Sequence, residues 1–204
     1  MDLTYLDHAA TSWPKPRSVG AAMLHAMTEA GGNPGRGSHK LALASAEKIY
    51  DCRSSLSDLF SAESPENVIF CQNATHALNI AIFSLAHEGA HFICSDMEHN
   101  SVRRPLEYLA KVRGCSYSVF NSYAHDPDRN AQKICRSISS LIRPETVAVI
   151  STACPNVCSA KMPLDEIGTL CKRRGISFIV DGAQGAGHFS IDMTRSNISA
   201  LAIP

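Results

Sequence analysis

Short apolar segments alternate with stretches of helical periodicity along most of the chain, and this alternation limits the possible folds more than any other feature of the sequence. Strand-like segments occur at 67–71, 91–95, 115–120, 146–151, 176–181 and 198–203. Apolar residues recur at helical spacing in most of the intervals, for example over 74–86 and from Pro163 onward. Strands that alternate with helices are typical of a mostly parallel sheet covered on both faces. The sequence therefore predicts an α/β fold, a three-layer sandwich around a mostly parallel sheet.

The region before the first predicted strand indicates helices and loops. Segments 19–30 and 41–60 have helical character, and the glycine-rich stretch GGNPGRGSH at 31–39 predicts a loop between them. The motif WPKP near the N-terminus predicts extended backbone, because residues that precede proline avoid the helical region. We therefore expect an extended arm over residues 1–18 and a single domain over residues 19–204.

The charge and hydropathy of the chain exclude several classes of protein. Its 204 residues include 19 basic and 19 acidic side chains, so no excess positive charge attracts nucleic acid or an anionic membrane. No apolar run approaches the ~18 residues of a spanning helix, and the first residues, MDLT, lack the features of a signal peptide. The eight cysteines are scattered without a CxxC pair, which favours free thiols in a reducing compartment. We expect a cytoplasmic protein without nucleic-acid or membrane partners.

The segment HEGAH at 87–91 matches the HExxH pattern of zinc hydrolases. That pattern binds zinc only when both histidines lie on one helical face. Here Gly89 falls where the preceding helix should end, and His91 opens the next predicted strand. The two histidines should therefore diverge. A zinc hydrolase is a remote alternative, and we expect no metal site.

The segment CQNATHALN at 71–79 follows the first predicted strand and opens a helix. The unpaired N–H groups and the dipole at a helix start favour an anion, particularly a phosphate. The hydroxyl of Thr75 could add a hydrogen bond to that anion. The alternative is ordinary capping of the helix by Asn73 or Thr75, and this segment alone favours the alternative.

Three other segments place polar side chains directly after predicted strands. DMEHN offers the imidazole of His99, STACPNV offers the amide of Asn156, and FIVDGAQGAG offers Asp181 and Gln184. A carboxylate at the end of so apolar a strand is costly unless a partner pairs with it. The alternatives are a surface histidine, a turn residue, and an aspartate that caps a tight turn with Gly182.

All four segments lie at the carboxyl ends of predicted strands, which share one edge in a doubly wound sheet. A phosphate site, a stacking ring, a neutral donor and a carboxylate on one edge suit pyridoxal phosphate (PLP). The helix start would hold the phosphate, and His99 would stack on the ring. Asp181 would keep the ring nitrogen protonated, while Asn156 and Gln184 would contact the ring hydroxyl.

These segments, in this order, resemble the class V aminotransferases of PLP fold type I, and within them the cysteine desulfurase and selenocysteine lyase group. The resemblance is carried by YLDHAATSWPKP, GGNPGRGSHKLALASAEKIY, FCQNATHALNIAI, SDMEHNSVRRPL and VDGAQGAGHFSIDM. It implies that Thr75 and the backbone around Ala74 touch the phosphate. It also implies the roles given above for His99, Asn156, Asp181 and Gln184, and it identifies the fold as a PLP-dependent transferase large domain.

The resemblance has further implications for subunits and partners. Family members are usually homodimers, with His8, Arg36 and His39 as candidates for contacts to the substrate or to the neighbouring subunit's site. The lysine that forms the Schiff base with the cofactor would follow just after Pro204, and the sulfur-accepting cysteine and the small domain would follow later.

We therefore expect the chain to be the N-terminal part of a desulfurase-like enzyme, truncated before that lysine. It would be active only with a complementary C-terminal chain. The whole reaction would remove sulfur or selenium from an amino acid such as cysteine or selenocysteine, leaving alanine. The alternative is a non-catalytic truncated fragment with weak PLP or partner binding.

Overall fold

The computed structural model of the protein describes residues 4–204, which form two compact units. The first unit ends at Val68 and the second runs from Ile69 to Pro204. The division that the sequence suggested, an arm over 1–18 and one domain over 19–204, stays a prediction. Residues 1–3 of that arm lie outside the described residues.

The first unit contains two helices and a short 3-10 turn. The helices are α1 (Arg17–Glu29) and α2 (Lys40–Phe60), and the turn is Pro65–Asn67. Both helices were predicted from the sequence and are confirmed. The ring of His39 accepts a hydrogen bond from the N–H of Ala42, so His39 caps the start of α2.

The second unit is a parallel α/β sheet with helices on both faces. Its strands are β1 (His91–Ser95), β2 (Ser116–Phe120), β3 (Thr146–Thr152), β4 (Ser177–Asp181) and β5 (Ala200–Ala202). Its helices are α3 (Ala74–Ser84), α4 (Asn100–Val112), α5 (Ala131–Ser139) and α6 (Leu164–Arg174). The strand order is β2-β1-β3-β4-β5, and every neighbouring pair is parallel. The predicted fold class is confirmed.

The core lies between the sheet and two pairs of helices. Helices α3 and α4 pack on each other, as do α5 and α6. On the face of the sheet that α3 and α4 cover, apolar side chains of both helices pack against alternate residues of the strands. The helix residues include Leu78, Ile82 and Leu106, and the strand residues include Phe92, Cys94, Ala148 and Ile150. Because successive residues of a strand point to opposite faces, Phe178 and Val180 of β4 lie on the face that α6 covers.

The strand predicted at 67–71 is not a strand, and this expectation was wrong. Asn67 ends the 3-10 turn, and no strand of residues 4–204 pairs with the segment that follows it. Ile69 and Phe70 are 71% and 51% exposed. An apolar run favours extended backbone, but a strand also needs a neighbour to bond its N–H and C=O groups.

No helix within residues 4–204 combines the length and the apolar character needed to cross a lipid bilayer.

Candidate functional site

A cavity of about 230 Å³ opens at the carboxyl edge of the parallel sheet in the second unit. The sheet order reverses between β1 and β3, because β2 lies on one side of β1 and β3 on the other. Open α/β sheets bind ligands at such a point. The cavity is lined by Asn73, Ala74, Thr75, Met97, His99, Ser101, Thr152, Cys154, Pro155, Asn156, Asp181, Ala183, Gln184 and Pro204. All six residues predicted to bind the cofactor are among them, and their roles stay predictions.

The start of α3 forms one wall of the cavity. The side chain of Asn73 accepts a hydrogen bond of 2.9 Å from the N–H of His76, so Asn73 is the capping residue. The N–H groups of Ala74 and Thr75 have no partner within the helix, because each helical N–H bonds the carbonyl four residues earlier. Capping and anion binding are therefore compatible here: one N–H is satisfied by Asn73, and two more lie at the cavity.

The imidazole of His99 lies at the start of α4, which follows β1. Its Nδ1 atom accepts a hydrogen bond from the backbone N–H of Ser101 at 3.2 Å, so His99 caps α4. Ser101 Oγ lies 2.7 Å from the same nitrogen and 2.9 Å from Thr75 Oγ1. These contacts connect the start of α4 to the start of α3 across the wall of the cavity.

Asp181 ends β4 and is buried at 5% exposure. Burial raises the pKa of its carboxyl group, whereas a hydrogen bond from the N–H of Ala183 and the nearby imidazole of His99 lower it. The Ala183 bond shows that Asp181 caps this turn, as the alternative predicted, and its contact to a cofactor stays a prediction. A cation at the cavity would offset the cost of burying this carboxylate.

Asn156 lies on the exposed loop that follows β3, and the loop is fastened by a side chain from another segment. Arg129 donates hydrogen bonds to the carbonyl of Ser122 at 3.0 Å and to the carbonyl of Lys161 at 2.8 Å. The loop therefore has a fixed anchor a few residues beyond Asn156. Nothing in the sequence pattern pointed to Arg129.

Glu98, which was not predicted as a site residue, joins the ends of two strands. One carboxylate oxygen accepts hydrogen bonds from Ser95 Oγ and, at 2.7 Å, from the N–H of Thr152. The other oxygen, Oε2, is buried without a partner among the described residues, although part of the residue is exposed. Burial raises the pKa of Glu98 to about 8. Its position directly before His99, at the end of a buried strand, was the available signal.

Three lower-ranked candidates, His8, Arg36 and His39, belong to the first unit and are exposed. The ring of His8 packs edge-on against Tyr5 at 4.9 Å between centroids. The backbone N–H of Arg36 closes a turn by donating to the carbonyl of Asn33. Contacts of these three residues to a substrate or a second subunit stay predictions.

The HEGAH segment does not form the helix that a zinc site of this type requires. His87 lies in the loop after α3, whereas His91 is the first residue of β1. Both ring nitrogens of His91 are engaged, Nδ1 with Thr146 Oγ1 at 2.8 Å and Nε2 with Ser118 Oγ at 2.9 Å. No group of three or more candidate metal ligands occurs among residues 4–204.

Comparison with known proteins identifies relatives over nearly the whole chain. The cysteine desulfurase IscS of Shewanella piezotolerans is 32% identical over 205 residues, which is 98% of this chain and 49% of the relative. The structure of SspA in complex with cysteine has a TM-score of 0.87 at 24% identity and covers 98% of this chain and 56% of SspA. The apo cysteine desulfurase of Thermococcus onnurineus NA1 has a TM-score of 0.85 at 24% identity, covering 97% and 48%.

The structural matches show a shared fold, and the chain spans about half the length of the curated relatives that it matches. The profile of the Aminotransferase class-V family matches residues 4–204. The resemblance drawn from the sequence segments is thereby confirmed. This chain belongs to the class V aminotransferase family.

Proposed function

We propose that this chain forms the cofactor cradle of a PLP-dependent cysteine desulfurase-like enzyme. The observation that carries the proposal is the placement of a helix start and a buried carboxylate on one cavity. Ala74 and Thr75 supply N–H groups at one wall, and Asp181 supplies the carboxylate at the other. Proteins of this family depend on PLP, and these residues fit its phosphate and its pyridine nitrogen.

Each predicted residue has a defined task in the proposed cradle. The N–H groups of Ala74 and Thr75 donate to the phosphate, as the helix dipole favours. Asp181 accepts a hydrogen bond from the protonated ring nitrogen, and His99 stacks on the ring. Asn156 and Gln184 contact the ring hydroxyl. When bound, PLP supplies an electron sink for the α-carbon of an amino acid.

The chain's own lysines and cysteines support a division of labour with further residues. Within residues 4–204, no lysine lines the cavity. Cys154 does line it, but burial and the neighbouring Cys158 raise the pKa of its thiol, which disfavours the nucleophilic thiolate. The proposal therefore assigns the covalent lysine and the sulfur-accepting cysteine to a complementary C-terminal chain or segment.

The proposed substrate and assembly follow from the relatives. Cysteine is the proposed substrate, because the relatives are named cysteine desulfurases and SspA was solved with cysteine. A homodimer in the cytoplasm is the proposed assembly, and His8, Arg36 and His39 are its candidate contacts to substrate or to the second subunit. The second candidate function is a non-catalytic fragment that binds PLP weakly, and the absence of a cavity-lining lysine within residues 4–204 favours it.

Replacing Asp181 by Asn tests the cradle with little change of shape. Asn keeps an oxygen that can accept from the N–H of Ala183, removes the charge and replaces the other oxygen by an NH2 group, which cannot accept. Since hydrogen bonds to charged groups contribute about 1.5–3 kcal/mol, D181N should weaken PLP binding roughly tenfold to a hundredfold. PLP affinity is measured by absorbance and fluorescence titration, with the exposed Asp51→Asn as the control. Equal affinity of D181N and the unaltered protein would remove Asp181 from the site.

The two candidate functions differ in a second measurement. Co-purification of the chain with the C-terminal half of a full-length relative should restore release of sulfide from cysteine if the chain is an enzyme half. Normal PLP binding without any restored activity would favour the non-catalytic fragment.

A further inference from the structure

Three polar side chains form a continuous hydrogen-bonded chain between the starts of α3 and α4. Thr75 Oγ1 lies 2.9 Å from Ser101 Oγ, although the two residues are 26 positions apart. Ser101 Oγ lies 2.7 Å from Nδ1 of His99. Ser101 is 8% exposed, so its hydroxyl has little access to water.

The direction of the protons in this chain follows from one backbone group. The N–H of Ser101 can only donate, and it points at Nδ1 of His99 at 3.2 Å. Nδ1 is therefore an acceptor and carries no proton, which places the proton of the neutral ring on Nε2. Ser101 Oγ must then donate to Nδ1, and Thr75 Oγ1 must donate to Ser101 Oγ.

The three hydrogen-bonded side chains also lie between two cavities. Thr75, His99 and Ser101 line both the candidate cofactor cavity and a second, more open cavity of about 500 Å³ between α3 and α4. The hydrogen bonds of Ser101 join the starts of α3 and α4 across this wall, in addition to the apolar packing of the two helices.

We propose that Ser101 is a positioning residue that holds His99 in its Nε2–H tautomer and links the imidazole to the Thr75 hydroxyl. The inference deepens the proposed function, because His99 is the residue expected to stack on the cofactor ring. Ser101 lines the cavity, and its hydroxyl hydrogen bonds to His99 and Thr75. It acts through the residues on either side of it.

The link has a consequence for anion binding at α3. The single O–H of Thr75 donates to Ser101 Oγ. An anion that accepts a hydrogen bond from this O–H therefore removes the hydrogen bond that Ser101 Oγ accepts. Occupation of the helix start therefore changes the hydrogen bonding of His99 through Ser101. Without the Ser101 hydroxyl, the two sites lose this connection.

The tautomer is tested on the unliganded chain by two-dimensional ¹H–¹⁵N correlation of the histidine rings. The unaltered protein should show Nδ1 of His99 as the unprotonated nitrogen. Ser101→Ala removes the shorter of the two hydrogen bonds that Nδ1 accepts, at 2.7 Å, and leaves the longer one from the backbone N–H, at 3.2 Å. The Nδ1 and Nε2 shifts of His99 should therefore move towards those of a mixture of tautomers, whereas Ser101→Thr, which keeps the hydroxyl, should retain the original shifts. Unchanged shifts in Ser101→Ala, or Nδ1 protonated in the unaltered protein, would overturn the proposal.

A second variant removes the hydrogen bond between Thr75 and Ser101, at the other end of the same series. Thr75→Val removes the hydroxyl at nearly constant volume, whereas Thr75→Ser keeps it, so the first should change the His99 ring shifts and the second should not. This pair provides the decision should Ser101→Ala fail to fold. Ser84→Ala serves as the matched control, because Ser84 Oγ donates to the carbonyl of Ala81 within α3 and takes no part in the Thr75–Ser101–His99 hydrogen bonds.

Titration with inorganic phosphate separates this inference from the proposed function. In the unaltered protein, phosphate should shift the amide signals of Ala74 and Thr75 together with the ring signals of His99. In Ser101→Ala, the amide shifts should persist while the ring response falls at least severalfold. Amides that do not respond in the unaltered protein would count against the cradle, and the spectra without ligand would still decide the role of Ser101.

Discussion

The carboxylate of Glu98 is the least expected group at the site, because a buried acid with one unpaired oxygen is costly. It connects the end of β1 to the end of β3 through Ser95 and the N–H of Thr152. Burial is the main cause of its raised pKa of about 8, and the nearby Asp181 adds to it. At neutral pH the group is therefore mainly a neutral acid, which avoids a second negative charge beside Asp181.

Glu98 makes the stability of the fold depend on pH. Its pKa rises from 4.5 to about 8 on folding, so the folded state binds more protons between these values. The stabilisation is fully present below the unfolded pKa and is lost as the pH rises through the folded pKa. Glu98→Gln, which is always neutral, should reduce this loss, and above about pH 8 the variant should be more stable than the unaltered protein by a few kcal/mol.

The measurement is urea unfolding at about pH 6 and about pH 9. The exposed Glu107→Gln on α4 is the control, and its pH dependence should match that of the unaltered protein. If Glu98→Gln loses as much stability between the two pH values as the unaltered protein does, Glu98 is ionised in the folded state at neutral pH.

At the scale of elements, one close contact joins α6 to the loop that precedes β5. A Cβ atom on Gly168 would lie 1.6 Å from the carbonyl oxygen of Ser196, which is backbone and cannot turn away. Ser196 is also held to α6 by a hydrogen bond from its hydroxyl to Asp165. The loop therefore reaches β5 along the surface of a helix that must have glycine at this position.

Gly168→Ala should separate α6 from this loop and destabilise the fold. Overpacking at buried sites costs typically 1–3 kcal/mol, which outweighs the gain of about 1 kcal/mol from replacing glycine in a helix. Gly20→Ala is the matched control, because its Cβ meets nothing within 4 Å in the exposed helix α1. Thermal unfolding should show a lower midpoint for Gly168→Ala and an equal or higher one for Gly20→Ala. A Gly168→Ala protein as stable as the unaltered chain would show that the loop yields freely.

The local sequence pattern predicted those elements whose structure depends mainly on the residues of the element itself. Helix α3 and the strand at His91 follow from apolar spacing, because the residues that become buried are apolar in both segments. The segment at 67–71 has an equally apolar pattern, yet it lacks a neighbouring strand among residues 4–204. Pairing depends on residues far away in the sequence, so an apolar run alone cannot decide it.

The candidate site divides in the same way. His99, Asn156 and Asp181 could be predicted because each follows a strand, and parallel topology brings strand ends together. Ser101, Glu98 and Arg129 were not predicted, because their importance comes from hydrogen bonds to distant segments. Residue type and spacing do not indicate which distant residues will become hydrogen-bond partners.

At the scale of the whole molecule, the second unit holds the complete set of predicted cofactor contacts on one sheet edge. The chain nevertheless spans about half of the relatives that share its fold. The proposed division therefore separates non-covalent cofactor binding, which these residues would perform, from the covalent chemistry, which the proposal assigns to other residues.

The chain alone should bind PLP without a covalent bond to any of its lysines. Lys161 is the lysine nearest to a site segment, and its ammonium group lies 4.3 Å from the centre of the Phe189 ring, a favourable cation–π contact. Its backbone carbonyl is held by Arg129, so the segment is anchored while the side chain is directed at Phe189.

The purified chain is incubated with PLP, reduced with borohydride, digested and analysed by mass spectrometry, with a full-length desulfurase as the positive control. The full-length enzyme should carry one stoichiometric lysine adduct, and this chain should carry only trace labelling spread over exposed lysines. A stoichiometric adduct on a single lysine, Lys161 above all, would show that the chain holds its own covalent residue and would overturn the proposed division.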